Sequence, residues 1–287
     1  MRVLVTGVKG QLGFDCMREL NERGFFDVCG VDVSDFDISQ EKEVAEYVSQ
    51  YRPEAIIHCA GYTAVDLAEL EKEKACRINV LGTKYLAQAA ENIGAKFVYI
   101  STDYVFPGKG DYFQETIDAT KPLNYYGETK LEGERKAKEY CSRLFIVRIS
   151  WAFGLNGNNF VKTMLKLGES HRELKIVNDQ IGSPTYTRDL SKLLVDMILT
   201  EKYGVYHATN DGVCSWAEFA AEIFKKTNMD VIVCPVATKD YLKEKPIQAK
   251  RPLNSRLSKK SLEDAGFSRL PTWQDALDRY LKELKVI

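Results

Sequence analysis

The chain has 287 residues, 45% of them apolar and 28% charged, and its 40 basic and 41 acidic residues leave a formal net charge of −1. That balance, with no long single-sign block, describes an ordinary globular protein and excludes a dedicated nucleic-acid or membrane-surface binder, which needs a basic patch. The apolar run in MRVLVTGVKGQLG is too short for a signal peptide, and no later stretch approaches the ~20 apolar residues of a membrane span. Seven scattered cysteines, none in a C-x-x-C pair, suit a reducing cytoplasm and buried thiols better than a disulfide framework or a zinc site. His58, His171 and His207 are far apart, so no metal ligand set is expected; His58, inside the apolar AIIHCA, reads as a satisfied core histidine.

Strand and helix signals alternate through the first half. RVLVT (2–6) is a β-branched run, followed by a glycine-punctuated helix start with Leu12, Cys16 and Leu20 on one face. DVCGVDV (27–33) is a second strand. Ser39 is the expected cap of the next helix, whose face is Val44, Tyr47, Val48 and Tyr51 and which Pro53 ends. AIIHCA (55–60) is a third strand. A long helical pattern covers about 69–93 and stops at Gly94, and KFVYIST (96–102) is a fourth strand. NYYGETKLEGERKAKEYC carries a helix, and LFIVRIS (144–150) is a fifth strand.

Near-continuous Val/Ile/Phe strands alternating with amphipathic helices predict a doubly wound, Rossmann-like parallel sheet covered on both faces, with ligands beyond the carboxyl ends of the strands. After residue 150 the pattern loosens. WAFGLNGNN and VNDQIGSPTYT read as loops, and NFVKTMLKLGESH and RDLSKLLVDMIL as helices. Ser215 with Glu218 is a capping-box signature for WAEFAAEIFKK, and Thr272 with Asp275 does the same for WQDALDRYLKEL. Residues 245–260, KPIQAKRPLNSRLSKK, are irregular. The expected division is a dinucleotide-binding domain over 1–150 and a smaller substrate-binding lobe over 151–287, with segments near 174–208 returning to the sheet.

The first βα turn spells Gly7-x-x-Gly10-x-x-Gly13, the spacing that lets a backbone approach a pyrophosphate at a helix N-terminus. Asp32, at the end of the second strand, can accept from an adenosine ribose and would repel a 2′-phosphate. It favours NADH, whereas Lys9 and Arg18 near the turn favour NADPH. Tyr126 and Lys130, four apart, share a helix face from which Tyr125 is rotated by roughly 100°. Thr102 ends the fourth strand. A hydroxyl, a phenol and an ammonium converging beside a nicotinamide would carry out carbonyl reduction, with the ammonium favouring the phenolate.

These residues resemble the extended short-chain dehydrogenase/reductases. GQLG, AGYTAVDLAE, STDYVFPG, PLNYYGETKLEGE, NDQIGSPT and RPLNSRL, in that order, are similar to the dTDP-4-dehydrorhamnose reductase family nearly end to end. The resemblance implies NAD(P)H-dependent reduction of the 4-keto group of dTDP-4-dehydro-L-rhamnose. It implies Tyr126 as proton donor, Lys130 as its partner and Thr102 as the hydroxyl that polarises the keto oxygen. On the cofactor side it implies Gly7, Gly10, Gln11 and Leu12 at the pyrophosphate, Asp37 and Ile38 beside the adenine, and Ala60, Gly61, Tyr62 and Asn79. On the substrate side it implies Val65, Tyr104 and Trp151 at the sugar, and Asn159, Gln180, Pro184 and Arg251 at the nucleotide. Taken singly, Trp151 and Tyr104 would read as packing and Arg251 as a solvated charge; their places in the matched segments reverse that.

Some family members dimerise through magnesium held by glutamates. Asp15 stands at the first such position here and the other acids are not clearly placed, so neither metal nor dimer is carried over, and monomer and homodimer both stay open. Two other readings compete with the reductase. One is a non-catalytic dinucleotide-binding subunit resembling the methionine adenosyltransferase beta subunit. The other is a related nucleotide-sugar epimerase or dehydratase, the latter disfavoured because Asp103 has no second carboxylate beside it.

Overall fold

A computed structural model describes residues 1–243 and 248–287; the first three residues of the irregular segment 245–260 lie outside the described residues. Six parallel strands form the central sheet: β1 (Arg2–Thr6), β2 (Asp27–Val31), β3 (Ala55–His58), β4 (Lys96–Thr102), β5 (Leu144–Ile149) and β6 (Gly204–His207). Their order is β6-β5-β4-β3-β1-β2. The chain leaves β1 toward β2 and returns on the other side at β3, so the crevice between β1 and β3 is the topological switch point, where such sheets bind ligands.

Period-two alternation along each strand separates two cores. Val3, Val5, Ile57, Val98 and Phe145 meet α1 (Gln11–Arg23) on one face. Leu4, Ile56, Phe97, Tyr99 and Ile146 meet α2 (Glu41–Tyr51) and α3 (Thr83–Ile93) on the other. Helix α4 (Tyr125–Tyr140) joins the second layer through Ala137, and α6 (Thr187–Ile198) joins the first through Leu190, Leu193, Leu194 and Met197. Fully burying side chains of this size contributes about 1.5–3 kcal/mol each.

A third core gathers Val161, Phe219, Phe224, Trp273, Leu277 and Tyr280 from α5 (Phe160–Gly168), α7 (Trp216–Lys226) and α8 (Trp273–Glu283) around Phe153. The Ser215–Glu218 capping box is complete and Thr272 caps α8, as their spacings predict. Within 174–208, α6 and β6 lie against and within the sheet, whereas Glu173–Val177 pairs with Ile232–Val236 away from it. Among the described residues no helix is long and apolar enough to cross a membrane.

Several local expectations need correction. The second strand stops at Val31, because Asp32 turns its carboxylate back to the glycine turn. Gln40, not Ser39, occupies the cap position of α2, and Asp37 Oδ1 takes the Ser39 N–H in a turn before the helix. The helix expected over 69–93 is interrupted: a short turn, Val65–Ala68, precedes it, and Arg77–Gly82 is wound as a π-helix before α3. The two late loops carry paired fragments, Ala152–Phe153 against Thr185–Tyr186 and Ile181–Gly182 against Asn254–Ser255.

Between α4 and the sheet lies a buried ion pair. Arg148 donates from Nε and Nη2 to the two oxygens of Glu134 at 2.8 Å each, with both side chains at most 3% exposed. Ser101 Oγ donates to Glu134 Oε1 at 2.5 Å, and the guanidinium lies 5.0 Å from the Phe106 ring centre. Removing one partner leaves an uncompensated buried charge, which costs about 3–5 kcal/mol. Arg148→Met is therefore expected to lower the unfolding free energy in urea by that amount, whereas Arg135→Met, which breaks an exposed pair with Glu132, costs about 0–1 kcal/mol. Equal losses would refute the assignment.

Candidate active site

The carboxyl ends of five strands open into one cavity of about 690 Å³. Its walls are residues at or just after the ends of β1 to β5: Gly7 and Lys9 to Gly13, Val31 to Val33, Cys59 to Gly61, Thr102 to Tyr104, and Ser150 to Ala152. At the near end, Gly7 has φ of +72° and approaches β3 so closely that a Cβ there would lie 2.6 Å from the Ala60 nitrogen. Only glycine meets both demands. The free N-terminus of α1 then faces the cavity, with no side-chain cap on it, a setting suited to a phosphate. Asp32 Oδ2 accepts the Lys9 N–H at 2.9 Å and so fixes the turn, while Lys9 Nζ donates to Ser34 at 3.0 Å.

Helix α4 supplies the opposite wall. Asn124 caps it by accepting the Gly127 N–H at 2.8 Å. Gly127 sits where a Cβ would come 2.4 Å from the Tyr104 carbonyl oxygen, so the first turn lies directly on the backbone that follows β4. That contact brings Tyr126 and Lys130 into the cavity beside Thr102. The Tyr126 and Tyr104 rings meet edge to face at 5.7 Å. Tyr125 points elsewhere, under Lys72 and against the cluster of Tyr62, Ala68 and Ala75.

The electrostatics of this wall differ from the expected phenolate. Burial pushes the Tyr126 phenol above its ordinary value, the Asp103 carboxyl adding to the rise when ionised and the neighbouring Thr102 hydroxyl opposing it. At neutral pH it holds its proton. Lys130 is buried, its ammonium 4.2 Å from the Tyr99 ring centre. Burial lowers its pKa to about 7, with Glu134 and Cys59 opposing. His58 is the satisfied core histidine its setting predicts, bonded to Thr6 at 2.8 Å and Thr83 at 3.3 Å. Burial, then Lys130, depress it to about 3.

Of the residues marked from sequence, Gly10, Gln11, Leu12, Asp37, Ile38, Ala60, Gly61, Val65 and Trp151 also line the cavity. Asp32 lines it too, and Tyr62, Asn79, Asn159, Gln180, Pro184 and Arg251 do not. Asn79, inside the π-helical turn, accepts the Tyr62 N–H at 2.8 Å and donates to the Tyr62 carbonyl and to Thr129, both at 3.0 Å, so it pins the 60–62 loop to α4. Asn159 caps α5 and donates to Gln11 at 3.1 Å. Gln180 donates to Thr238 at 3.0 Å, and Pro184 is buried between Ser183 and Thr185, which are bonded to Ser150. Arg251 donates to Asp66 at 2.9 Å and joins the late segment to the loop after β3.

From the sequence, Trp216 is unmarked and Asp103 weighs only as an acid of the dehydratase alternative. Trp216, whose only visible role was to open a helix, stacks on Trp151 with ring centres 3.7 Å apart and planes within 16°. Trp151 itself has φ of +51°, an uncommon backbone state for a bulky residue and one that clusters at functional sites. Asp103 is 2% exposed, and burial raises its carboxyl to about 6 despite bonds from Ser255 and Thr102. Its place next to Thr102 was the one available signal.

The family model described as RmlD substrate binding domain matches residues 1–286. The chain is 39% identical to dTDP-4-dehydrorhamnose reductase of Escherichia coli (strain K12), over 99% of this chain and 98% of that protein. It is also 39% identical to the spore coat polysaccharide biosynthesis protein SpsK of Bacillus subtilis (strain 168), over 98% and 97% of the two chains. Among solved structures, dTDP-4-dehydrorhamnose reductase from Bacillus anthracis in complex with NADP superposes with a TM-score of 0.94 at 44% identity, covering 98% of this chain and 99% of that one. A match this complete, on a chain whose glycine turn and Thr/Tyr/Lys wall share one cavity, makes it a member of the RmlD substrate binding domain family.

Proposed function

We propose that the protein reduces the 4-keto group of dTDP-4-dehydro-L-rhamnose to the alcohol, giving dTDP-L-rhamnose, with NADH or NADPH as reductant. The observation that carries this reading is the convergence of Thr102, Tyr126 and Lys130 on the cavity that the glycine turn opens. Residues 1–150 hold the cofactor in this reading, and the later lobe holds the sugar nucleotide. The site fits a dinucleotide: Gly7 packs on the Ala60 backbone where no side chain has room, which keeps the turn tight on the sheet, and the α1 N-terminus offers unpaired N–H groups for a pyrophosphate.

Bound there, a reduced nicotinamide supplies hydride to the carbonyl carbon. Tyr126 gives its phenolic proton to the carbonyl oxygen, and its raised pKa keeps that proton available at neutral pH. Thr102 donates a hydrogen bond to the same oxygen as negative charge develops. Lys130 offers its ammonium to the ribose hydroxyls on the cofactor side. Gln11, Leu12 and Gly10 border the pyrophosphate, Asp37 and Ile38 the adenine, and Val65, Tyr104 and Trp151 the sugar. Asp32 sits where a ribose hydroxyl donates, which suits NADH, and Lys9 Nζ beside Ser34 suits the extra phosphate of NADPH. Asn79 acts through the loop it pins, holding Ala60 to Tyr62 in place. Arg251, whose planar fork can bond two phosphate oxygens, reaches the nucleotide by exchanging its bond with Asp66.

The direct test is oxidation of NADH or NADPH, followed by absorbance, on adding dTDP-4-dehydrorhamnose to the folded protein; no turnover with either cofactor sinks the proposal. Tyr126→Phe is expected to lower kcat by about 10²–10⁴-fold with cofactor affinity nearly unchanged, while Tyr125→Phe keeps most of its activity. Gly127→Ala forces the first turn of α4 off the Tyr104 carbonyl. It is expected to cost about 1–3 kcal/mol in thermal or urea unfolding and to reduce kcat more than cofactor affinity; an active, fully stable variant would show that the close approach is dispensable.

A further inference from the structure

The hydroxyl of Thr102 has one proton and two lone pairs. One lone pair accepts the Tyr104 N–H at 3.2 Å, and the proton goes to Asp103 Oδ1 at 3.0 Å. The second Asp103 oxygen accepts from Ser255 Oγ at 2.5 Å. With the carboxyl ionised, every donor around it points inward. Thr102 then shows the cavity only a lone pair, which repels a keto oxygen instead of bonding it. A single proton cannot serve both Asp103 and a substrate.

We propose that Asp103 is a positioning residue that works as the carboxylic acid, donating its own proton to Thr102 Oγ1 and thereby freeing the Thr102 proton for the keto oxygen. The proposal rests on the reductase reading above. No proton is consumed at Asp103, because hydride goes to carbon and the Tyr126 proton to oxygen. Ser255, from the RPLNSRL segment, keeps donating to the other oxygen, so the pair holds its direction. The acid form also removes a negative charge from beside the oxygen on which charge develops.

The surroundings move the carboxyl toward the acid. Asp103 is 2% exposed. Its own turn presents Tyr104, α4 presents Tyr126, and the late segment presents Ser255. Lys130 lies on the same cavity wall, and Arg251 with Asp66 face Tyr104 from beyond it. Burial outweighs the bonds from Ser255, Thr102 and the backbone N–H groups of Asp103 and Tyr104, and raises the carboxyl to about 6. Substrate over the wall removes more water and moves the ionisation further up.

The test compares wild type, Asp103→Asn and Asp103→Leu in keto-sugar reduction from roughly pH 5 to 9, with cofactor binding by fluorescence as the check on folding. The carboxyl of Asp103 is titrated in parallel by ¹³C NMR, with Asp103→Asn identifying its resonance. Wild-type kcat is expected to fall as pH rises through this ionisation, approaching about tenfold per unit. The Asn variant, whose amide donates to Thr102 and accepts from Ser255, is expected to lose that limb and to stay within about tenfold of the wild-type maximum. The Leu variant is expected to lose about 100-fold at every pH while still binding cofactor. An Asn variant that keeps a falling limb at the pH where the wild-type Asp103 resonance titrates, or that falls as far as Leu, overturns the proposal. So does an Asp103 resonance already ionised like a free carboxyl, near pH 4. If wild type reduces no keto sugar, the reductase reading fails by itself and the NMR midpoint still decides the protonation of Asp103.

Discussion

Everything in the cavity depends on how closely α4 lies on the end of β4. A helix carrying an ordinary side chain at position 127 would stand off the Tyr104 carbonyl, and Tyr126 would leave Thr102. The same helix makes a second close approach at Gly133, where a Cβ would come 2.3 Å from the Tyr99 hydroxyl. One position further on, Glu134 locks onto Arg148 of β5. Two glycines set the distance and one buried ion pair sets the rotation. With distance and rotation fixed, the four-residue step from Tyr126 to Lys130 delivers both side chains to one wall.

That arrangement explains which parts of the molecule were legible beforehand. The sheet was legible because strands buried on both faces read as near-continuous Val/Ile/Phe runs. The choice of Tyr126 over Tyr125 was legible because helical spacing alone separates their faces. The π-helical turn at Arg77–Gly82 was not, since its residues keep the apolar pattern of an α-helix and only Asn79 betrays the change, by bonding outward to the 60–62 loop. Strand β6 could be placed only within the stretch 174–208 expected to return to the sheet: GVYH is four residues long, and its pairing with β5 is a contact between distant parts of the chain.

The candidate site divides the same way. Residues that follow strand ends could be placed, because the fold fixes where strand ends go. Asn159, Gln180 and Pro184 could not, because their matched segments say which region they occupy and nothing about which way they face. Asn159 turns to Gln11, a residue of the cavity wall, and Gln180 to Thr238, which is not one. The protonation of the wall also escaped a reading by pairs. An ammonium near a phenol suggests phenolate, but desolvation acts on every buried charge at once and is the largest influence on the Tyr126 phenol.

Trp151 and Trp216 are stacked, yet one follows the last of the early sheet strands and the other opens a helix of the late lobe. The sugar end of the cavity is therefore a joint, with one ring fixed to each side. Its width is a measure of lobe position: a tilt of α7 would slide one indole over the other before it disturbed any residue of the reacting wall. Selectivity for the bulk of a substrate can thus drift through substitutions in the lobe's own core, such as around Phe160 and Phe219, which pack on Trp216, while the proton-transfer geometry stays where the sheet holds it.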